Sequence, residues 1–296
     1  MRVKVLVAAV NAVEHKIMSG DYLGKAVHSG SSPLILGYDF SGTVDKVGKQ
    51  AADFKEGDAV WGFLAYSPTQ KQGTYAEYVT VKPETIALKP ETVAYDVAAA
   101  AATSCSTALQ GLRDYGQLEV GGRLLIIGAA GNVGSAALGI AKLFMKAKKV
   151  TAVCSHKDMD RVKSLGADDV VDRTALKTVL VEEAIYDVVF DACGGSSFSD
   201  CAKSLTAKGA YVTTVPNVNF LLGVLKACCS SKTDSLVRCA SKKDDLDLIG
   251  QYLTDGLQIA IDSHFNITDL DAAFKRSLDK DRQGKIVIDV ADKWDN

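Results

Sequence analysis

The residues with the clearest capacity for chemistry are three evenly spaced glycines, Gly128, Gly131 and Gly134, in the stretch RLLIIGAAGNVGSAALGIAK. Leu124–Ile127 ahead of them is a short apolar run that reads as a buried parallel strand, and the small residues behind them read as a helix. Glycine is needed where a chain turns sharply and where its backbone must lie against a phosphate. A helix that starts at such a turn offers unpaired N–H groups and the positive end of its dipole. Between a strand and a helix, the triplet reads as the pyrophosphate loop of a dinucleotide site.

A second strand, Val150–Cys154, is followed by Ser155, His156 and Lys157. Sites for NAD place Asp or Glu at this point to accept from the ribose 2′-hydroxyl, and a carboxylate there repels a 2′-phosphate. No carboxylate occurs before Asp158. Ser155 can donate a hydrogen bond, Lys157 brings a point charge, and Arg173 after the third strand brings a planar fork. The same lysine and arginine would also suit a solvated surface. The set favours NADPH over NADH.

These residues need elements to hold them. Up to about Pro90 the chain is rich in short strands broken by Gly and Asp, such as Val3–Val7, Phe54–Phe63 and Gly73–Val81, with Pro33–Val47 reading as two strands that bend around a tight corner at Gly37 and Gly42, which suggests a small barrel-like domain. Beyond it, strands at Leu124, Val150, Asp169, Asp187 and Gly209 alternate with helical patterns, as in a parallel doubly wound sheet. Helical patterns near Leu246 and Leu270 and a strand at Lys285–Val290 close the chain.

Bulk composition narrows the function classes. The 296 residues carry a net charge of −2 with both signs mixed, so nothing marks a nucleic-acid surface. The apolar stretch at Phe220–Leu225 is too short to span a bilayer. The first residues alternate like a strand and lack a signal-peptide core with a cleavage site. The seven cysteines, Cys105, Cys154, Cys193, Cys201, Cys228, Cys229 and Cys239, form no C-x-x-C pair and read as reduced, mostly buried thiols of a reducing, intracellular compartment.

Taken together, NAVEHKIMSGDY, LILGYDFSGTVDKVG, FKEGDAVWGF, GTYAEYV, STALQGLRDYG, LLIIGAAGNVGSAALGIAK, SLGADDVVD, YDVVFDACGG and QGKIVIDV resemble the medium-chain dehydrogenase/reductase superfamily in its zinc-free, quinone-oxidoreductase-like branch. Within that branch, STALQGLRD and SHFNITDLDAAFKRS look like the chloroplast-envelope quinone oxidoreductase homologue, and GYDFSG is shared with the reticulon-interacting mitochondrial proteins. The resemblance implies an α/β fold: a GroES-like catalytic domain of the β-barrel type over 1–93 and 236–296, and a Rossmann NADPH-binding domain over 94–235. Family members open with a hairpin ahead of the segment matching Val3–Val7, and Met1 stands where that segment starts.

By motif position the resemblance puts Gly128, Ala129, Gly131, Asn132, Val133 and Gly134 along the pyrophosphate, and Ser155, Lys157 and Arg173 at the 2′-phosphate. Thr107 is put near the nicotinamide. Relatives more often carry glycine at Asn132 and tyrosine at Arg173. Zinc relatives use Cys, a Gly-His-Glu motif and a four-cysteine lobe; Gly37-Tyr38-Asp39 replaces the motif, and the scattered His15, His28, His156 and His264 read as exposed or loop residues, so no metal is expected.

Without a metal, the implied reaction is hydride delivery to a quinone or to the C=C bond of an enone or alkenal. Tyr22 and Asn11 occupy the family's substrate-site positions, Tyr22 as donor or acid and Asn11 as a positioning group. A packed loop aromatic is the plainer role for Tyr22, a structural helix-start charge for Glu14, packing for Tyr38, and turn-amide acceptance for Asp39 and Asp58. The rival function is a non-catalytic accessory subunit that keeps the fold and bound NADPH. A homodimer or larger assembly fits either.

Overall fold

The structure, a computed structural model, describes residues 1–29, 33–48, 53–180, 184–215 and 231–291. The apolar stretch Phe220–Leu225 and the adjacent Cys228 and Cys229 lie outside the described residues. In chain order come β1 (Arg2–Ala9), α1 (Ala12–Ser19), α2 (Tyr22–Val27), β2 (Asp39–Lys46), β3 (Ala59–Phe63), β4 (Tyr78–Thr80), β5 (Ile86–Leu88) and α3 (Tyr95–Gln110). Next are β6 (Arg123–Ile127), α4 (Asn132–Gly139), β7 (Lys149–Cys154), α5 (Met159–Ser164), β8 (Asp169–Asp172), β9 (Tyr186–Asp191), β10 (Leu205–Thr213) and β11 (Thr233–Leu236). The chain ends with α6 (Lys243–Thr254), β12 (Ile261–Asn266), α7 (Leu270–Ser277) and β13 (Lys285–Asp289). Two compact units result, Met1–Ser106 with Ala240–Asn296, and Thr107–Cys239.

In the first unit the alternation of Val3, Val5 and Val7 with Arg2 and Lys4 sends the valines inward, and all three are buried. β1 is the centre of a seven-stranded sheet of order β12-β13-β1-β2-β3-β5, with β4 also on β1. β1 shares one edge between two partners, residues 2–4 facing β4 and residues 7–9 facing β13, both antiparallel. The two strands expected in 33–47 prove to be one. Gly37, at φ +96°, turns the chain before the ladder begins at Asp39. Gly42 lies inside β2, where a Cβ would come within 2.0 Å of the Lys4 carbonyl, so the glycine permits close strand approach rather than a corner. Tyr38, Phe40, Val60 and Ile286 join Val3 and Val5 in one core, while Val7, past a register shift between Val5 and Val7, packs with Tyr95 and Val287 in another.

One ion pair ties four elements of this unit together. Lys285 Nζ on β13 lies 2.9 Å from Asp39 Oδ2 on β2, and both side chains are withdrawn from solvent. Asp39 also accepts from Asn11 Nδ2 at the start of α1 (3.0 Å), and from the Thr103 amide (3.1 Å) and Thr103 hydroxyl on α3. Lys285 also donates to Asn11 Oδ1 (2.6 Å) and Ser104 Oγ (3.4 Å).

The second unit is a six-stranded parallel sheet of order β11-β10-β9-β6-β7-β8. Counted within the unit, that is the doubly wound order whose direction of winding reverses between its first and fourth strands, here β6 and β9. Ligands of such sheets bind beyond the carboxyl ends of the strands at that reversal. Leu125, Ile127, Val189, Phe198 and Tyr211 form its core. Of the described cysteines, Cys105, Cys154 and Cys201 are buried, Cys239 is intermediate and Cys193 is exposed, and none of them forms a disulfide.

Replacing Lys285 with Met leaves Asp39 buried without its cation. Chemical denaturation of Lys285→Met should show a loss of about 3–5 kcal/mol, and the double variant with Asp39→Asn should recover part of it. Equal stability of wild type and Lys285→Met would remove the pair from its central place.

Candidate functional site

The glycine loop sits at the carboxyl end of β6. Gly128 turns at φ +82°, and the Gly128 and Ala129 amides both donate to the Val153 carbonyl of β7 at 3.0 Å. The Gly131 amide closes the turn on the Gly128 carbonyl at 3.0 Å, and α4 begins at Asn132. The first helical turn leaves the N–H groups of Asn132, Val133 and Gly134 without intrahelical acceptors. A Cβ on Gly134 would lie 2.2 Å from the Gly128 carbonyl oxygen, and one on Gly128 would lie 2.9 Å from Cys193 Cβ and Sγ. Both glycines are therefore required by the fold. Gly131 is different: its φ is −76°, and a Cβ there meets only the Gly128 oxygen at 3.4 Å. No described residue crowds a side chain at 131, which leaves open space beside the start of α4. The residues present fit a dinucleotide pyrophosphate. Asn132 and Val133 are partly exposed in the first helical turn, Ala129 is buried, and Thr107 is buried within α3.

The neighbouring loop, at the end of β9, is set by a residue that sequence reading missed. Buried Asp191 accepts from the amides of Cys193 (3.1 Å), Gly195 (3.0 Å) and Ser196 (2.8 Å) and from the Tyr211 hydroxyl (2.9 Å). Burial and the Asp191 charge push the Tyr211 phenol far above its usual range. The signal in the sequence is the carboxylate that ends the DVVF strand just before Cys-Gly-Gly. Cys193 is exposed as a residue, but desolvation of its sulfur and the same charge raise the thiol to about 11, so it stays protonated near neutrality.

At the ends of β7 and β8 the expected phosphate set is only partly as read. Lys157 and Arg173 are exposed, while the Ser155 hydroxyl donates to Asp158, which is buried. Arg161, one helical turn on, pairs with Asp158 (3.4 Å) and donates to the Ala130 carbonyl of the glycine loop (2.8 Å).

In the first unit, the Asn11 amide is engaged at both ends, by Asp39 and Lys285. Tyr22 opens α2, and its side chain lies outside the described atoms. Glu14 does stand at the helix start, as the capping-box carboxyl that takes the Asn11 backbone N–H in the first turn of α1, but it is not charged there. It is fully buried, one oxygen accepts from the Asn11 amide at 2.7 Å, and the other has no partner among the described residues. Burial first, then the nearby Asp39 charge, lift its carboxyl from 4.5 to about 8, so it is held neutral. His28 is buried, with Nδ1 3.1 Å from the Tyr38 hydroxyl, rather than an exposed loop residue. Tyr38 packs at 4.4 Å on Tyr66, whose hydroxyl is 3.4 Å from Thr103.

Two family profiles match the chain, "Alcohol dehydrogenase GroES-like domain" over residues 1–91 and "Zinc-binding dehydrogenase" over residues 165–288. A quinone oxidoreductase structure from Coxiella burnetii superposes with a TM-score of 0.84 at 26% identity, covering 98% of this chain and 90% of that one. The chain belongs to the medium-chain dehydrogenase/reductase superfamily. A protein of Arabidopsis thaliana named NADPH-dependent alkenal/one oxidoreductase, chloroplastic, is 37% identical over 195 residues, covering 65% of this chain and 49% of that one. The chloroplast envelope quinone oxidoreductase homolog of the same plant is 29% identical over 299 residues, covering 97% of this chain and 88% of that one. The first curated relatives are matched over about half of their own length.

The zinc of the family's dehydrogenases does not fit the described residues. Among them, no three His, Cys, Asp or Glu converge on a point, and Asp39 of the Gly37-Tyr38-Asp39 stretch is committed to Lys285.

Two results are expected. Gly131→Ala should keep its thermal midpoint yet lose nucleotide binding at least tenfold in a fluorescence titration, whereas Gly134→Ala should lose stability as well; unaltered binding by Gly131→Ala would empty the cradle of its role. Because folded Glu14 holds a proton that the unfolded chain releases, stability should fall as pH rises from about 4.5 to about 8. Glu14→Gln should flatten that slope and gain about 2 kcal/mol at pH 8 in urea denaturation; an unchanged slope would show the carboxyl to be ionised.

Proposed function

We propose that this chain is an NADPH-dependent oxidoreductase that reduces quinones or the C=C bond of conjugated enones and alkenals, without zinc. The observation that carries the reading is the Gly128–Gly134 turn, crowded by protein atoms at Gly128 and Gly134 and open beside Gly131. The names of the relatives support the acceptor class: one is an NADPH-dependent alkenal/one oxidoreductase, another a quinone oxidoreductase homolog. The described cysteines, none of them in a disulfide, suit a reducing compartment. No helix of the described residues is long and apolar enough to cross a membrane. Self-association as a homodimer belongs to the same reading, since β11 ends the parallel sheet with an open edge among the described residues.

Bound NADPH supplies a hydride to an electron-poor carbon. The N–H groups left without intrahelical acceptors at the start of α4 bind and orient the pyrophosphate, and Lys157 and Arg173 attend the adenosine end. In an enone the hydride forms a new C–H bond at the β-carbon, the π electrons move to the carbonyl oxygen, and a proton completes the α-carbon. Asn11 meets the charge on that oxygen. Its amide oxygen accepts from the Lys285 ammonium, which draws electrons from the amide and strengthens its second Nδ2–H as a donor. Tyr22 is the acid or donor of the set. The engagement of Asn11 at both ends favours the accessory-subunit reading as a rival, because the amide already has a structural task.

A panel of quinones and conjugated enones separates the two. At least one acceptor should drive NADPH oxidation, and Tyr22→Phe should cut kcat about tenfold or more with NADPH affinity intact. Tight NADPH binding with no turnover of any acceptor would establish the accessory subunit instead.

A further inference from the structure

Arg161 lies outside the residues read as cofactor contacts, yet it joins the two features that govern nucleotide choice. Its Nη2 donates to the Ala130 carbonyl at 2.8 Å, inside the glycine loop, and lies 3.4 Å from Asp158 Oδ1. Its Nε is buried with no hydrogen-bond partner among the described residues, so the guanidinium retains donor capacity that the protein does not use. Asp158 is the first carboxylate after β7, and it is buried, with Ser155 donating to its other oxygen. The end of this strand is where a dinucleotide site reads the ribose. An uncompensated carboxylate there would accept a 2′-hydroxyl and repel a 2′-phosphate. The expected compensators fall short: Lys157 and Arg173 are exposed and screened by solvent and salt.

We propose that Arg161 is the residue that sets cofactor preference, by neutralising Asp158 beside the glycine loop and so admitting a 2′-phosphate. The inference rests on the reading of the chain as an NADPH-binding protein and names a residue that this reading did not contain. Arg161 acts as a positioning and charge-balancing residue. Removing it exposes the site to the Asp158 charge, a penalty that falls on NADPH and spares NADH. A purely structural anchor for Ala130 would behave otherwise, because a loosened loop weakens both nucleotides alike.

The test is fluorescence titration of the full chain with NADPH and NADH, with a thermal melt of each variant alongside. Arg161→Leu should lose about tenfold or more in NADPH affinity while NADH affinity changes less than about threefold. Adding Asp158→Asn to it should restore most of the NADPH affinity, since the repelling charge is gone. Arg161→Lys, which keeps the charge, should keep the NADPH preference, and Asp158→Asn alone should tilt the ratio further toward NADPH. These two read the same charge balance if Arg161→Leu does not fold. Equal losses for both nucleotides, or an unchanged ratio across the set, would overturn the proposal. Wild-type protein that prefers NADPH while the variants keep its ratio defeats this inference alone; wild type that binds neither nucleotide defeats the parent reading and this inference together.

Discussion

A carboxylate and an ammonium can share a protein interior only where hydrogen bonds replace the water each has given up. Asp39 and Lys285 meet that condition: the carboxylate takes donors from Lys285, Asn11 and Thr103, and the ammonium reaches Asn11 and Ser104. The contacts span nearly the length of the chain, from the start of α1 to the last strand. They bring β2, β13, α1 and α3 into one arrangement, and a shift of any of them strands a buried charge. The neutral Glu14 belongs to the same balance. Next to the Asp39 carboxylate a second buried charge would be costly, so the proton stays.

The second unit solves a different problem, how to bring backbone close to a charged ligand. Its strand reversal between β6 and β9 opens a crevice, and two loops, one turned by glycines and one held by Asp191, occupy the strand ends there. Each of Gly128 and Gly134 is explained by an atom of the protein that a side chain would strike. At Gly131 a side chain would meet only the Gly128 oxygen at 3.4 Å, so the protein leaves that side of the turn open. That asymmetry carries more weight than the spacing of the glycines, because tight turns before helices commonly contain glycine for internal reasons alone.

Local pattern made much of this legible. The valine alternation of β1, the helix at Leu270, the strand–turn–helix at the glycines and the superfamily itself were all readable from short stretches, because each depends on residues near in sequence. What was not readable depends on distant partners. Asp39 looks like a turn acceptor until Lys285, 246 positions away, is seen against it. Glu14 looks like a helix-start charge until its burial is known. His28 looks like a loop histidine until the Tyr38 hydroxyl meets it. Ser155 looks like a free phosphate donor until Asp158 turns inward to accept its hydrogen bond. In every case a polar side chain was given a local or ligand-facing role, and the fold bonds or buries it against another part of the protein.

In the proposed reaction a hydride passes from NADPH held at the Gly128–Gly134 loop to the β-carbon of a conjugated acceptor. The most direct measurement is a single-turnover reaction with NADPH deuterated at the transferable C4 position, with the product analysed by mass spectrometry and proton NMR. The account predicts one deuterium, at the β-carbon, and an unlabelled α-carbon that takes its proton from the protein or water. Product without deuterium, or deuterium only at the α-carbon, would contradict it.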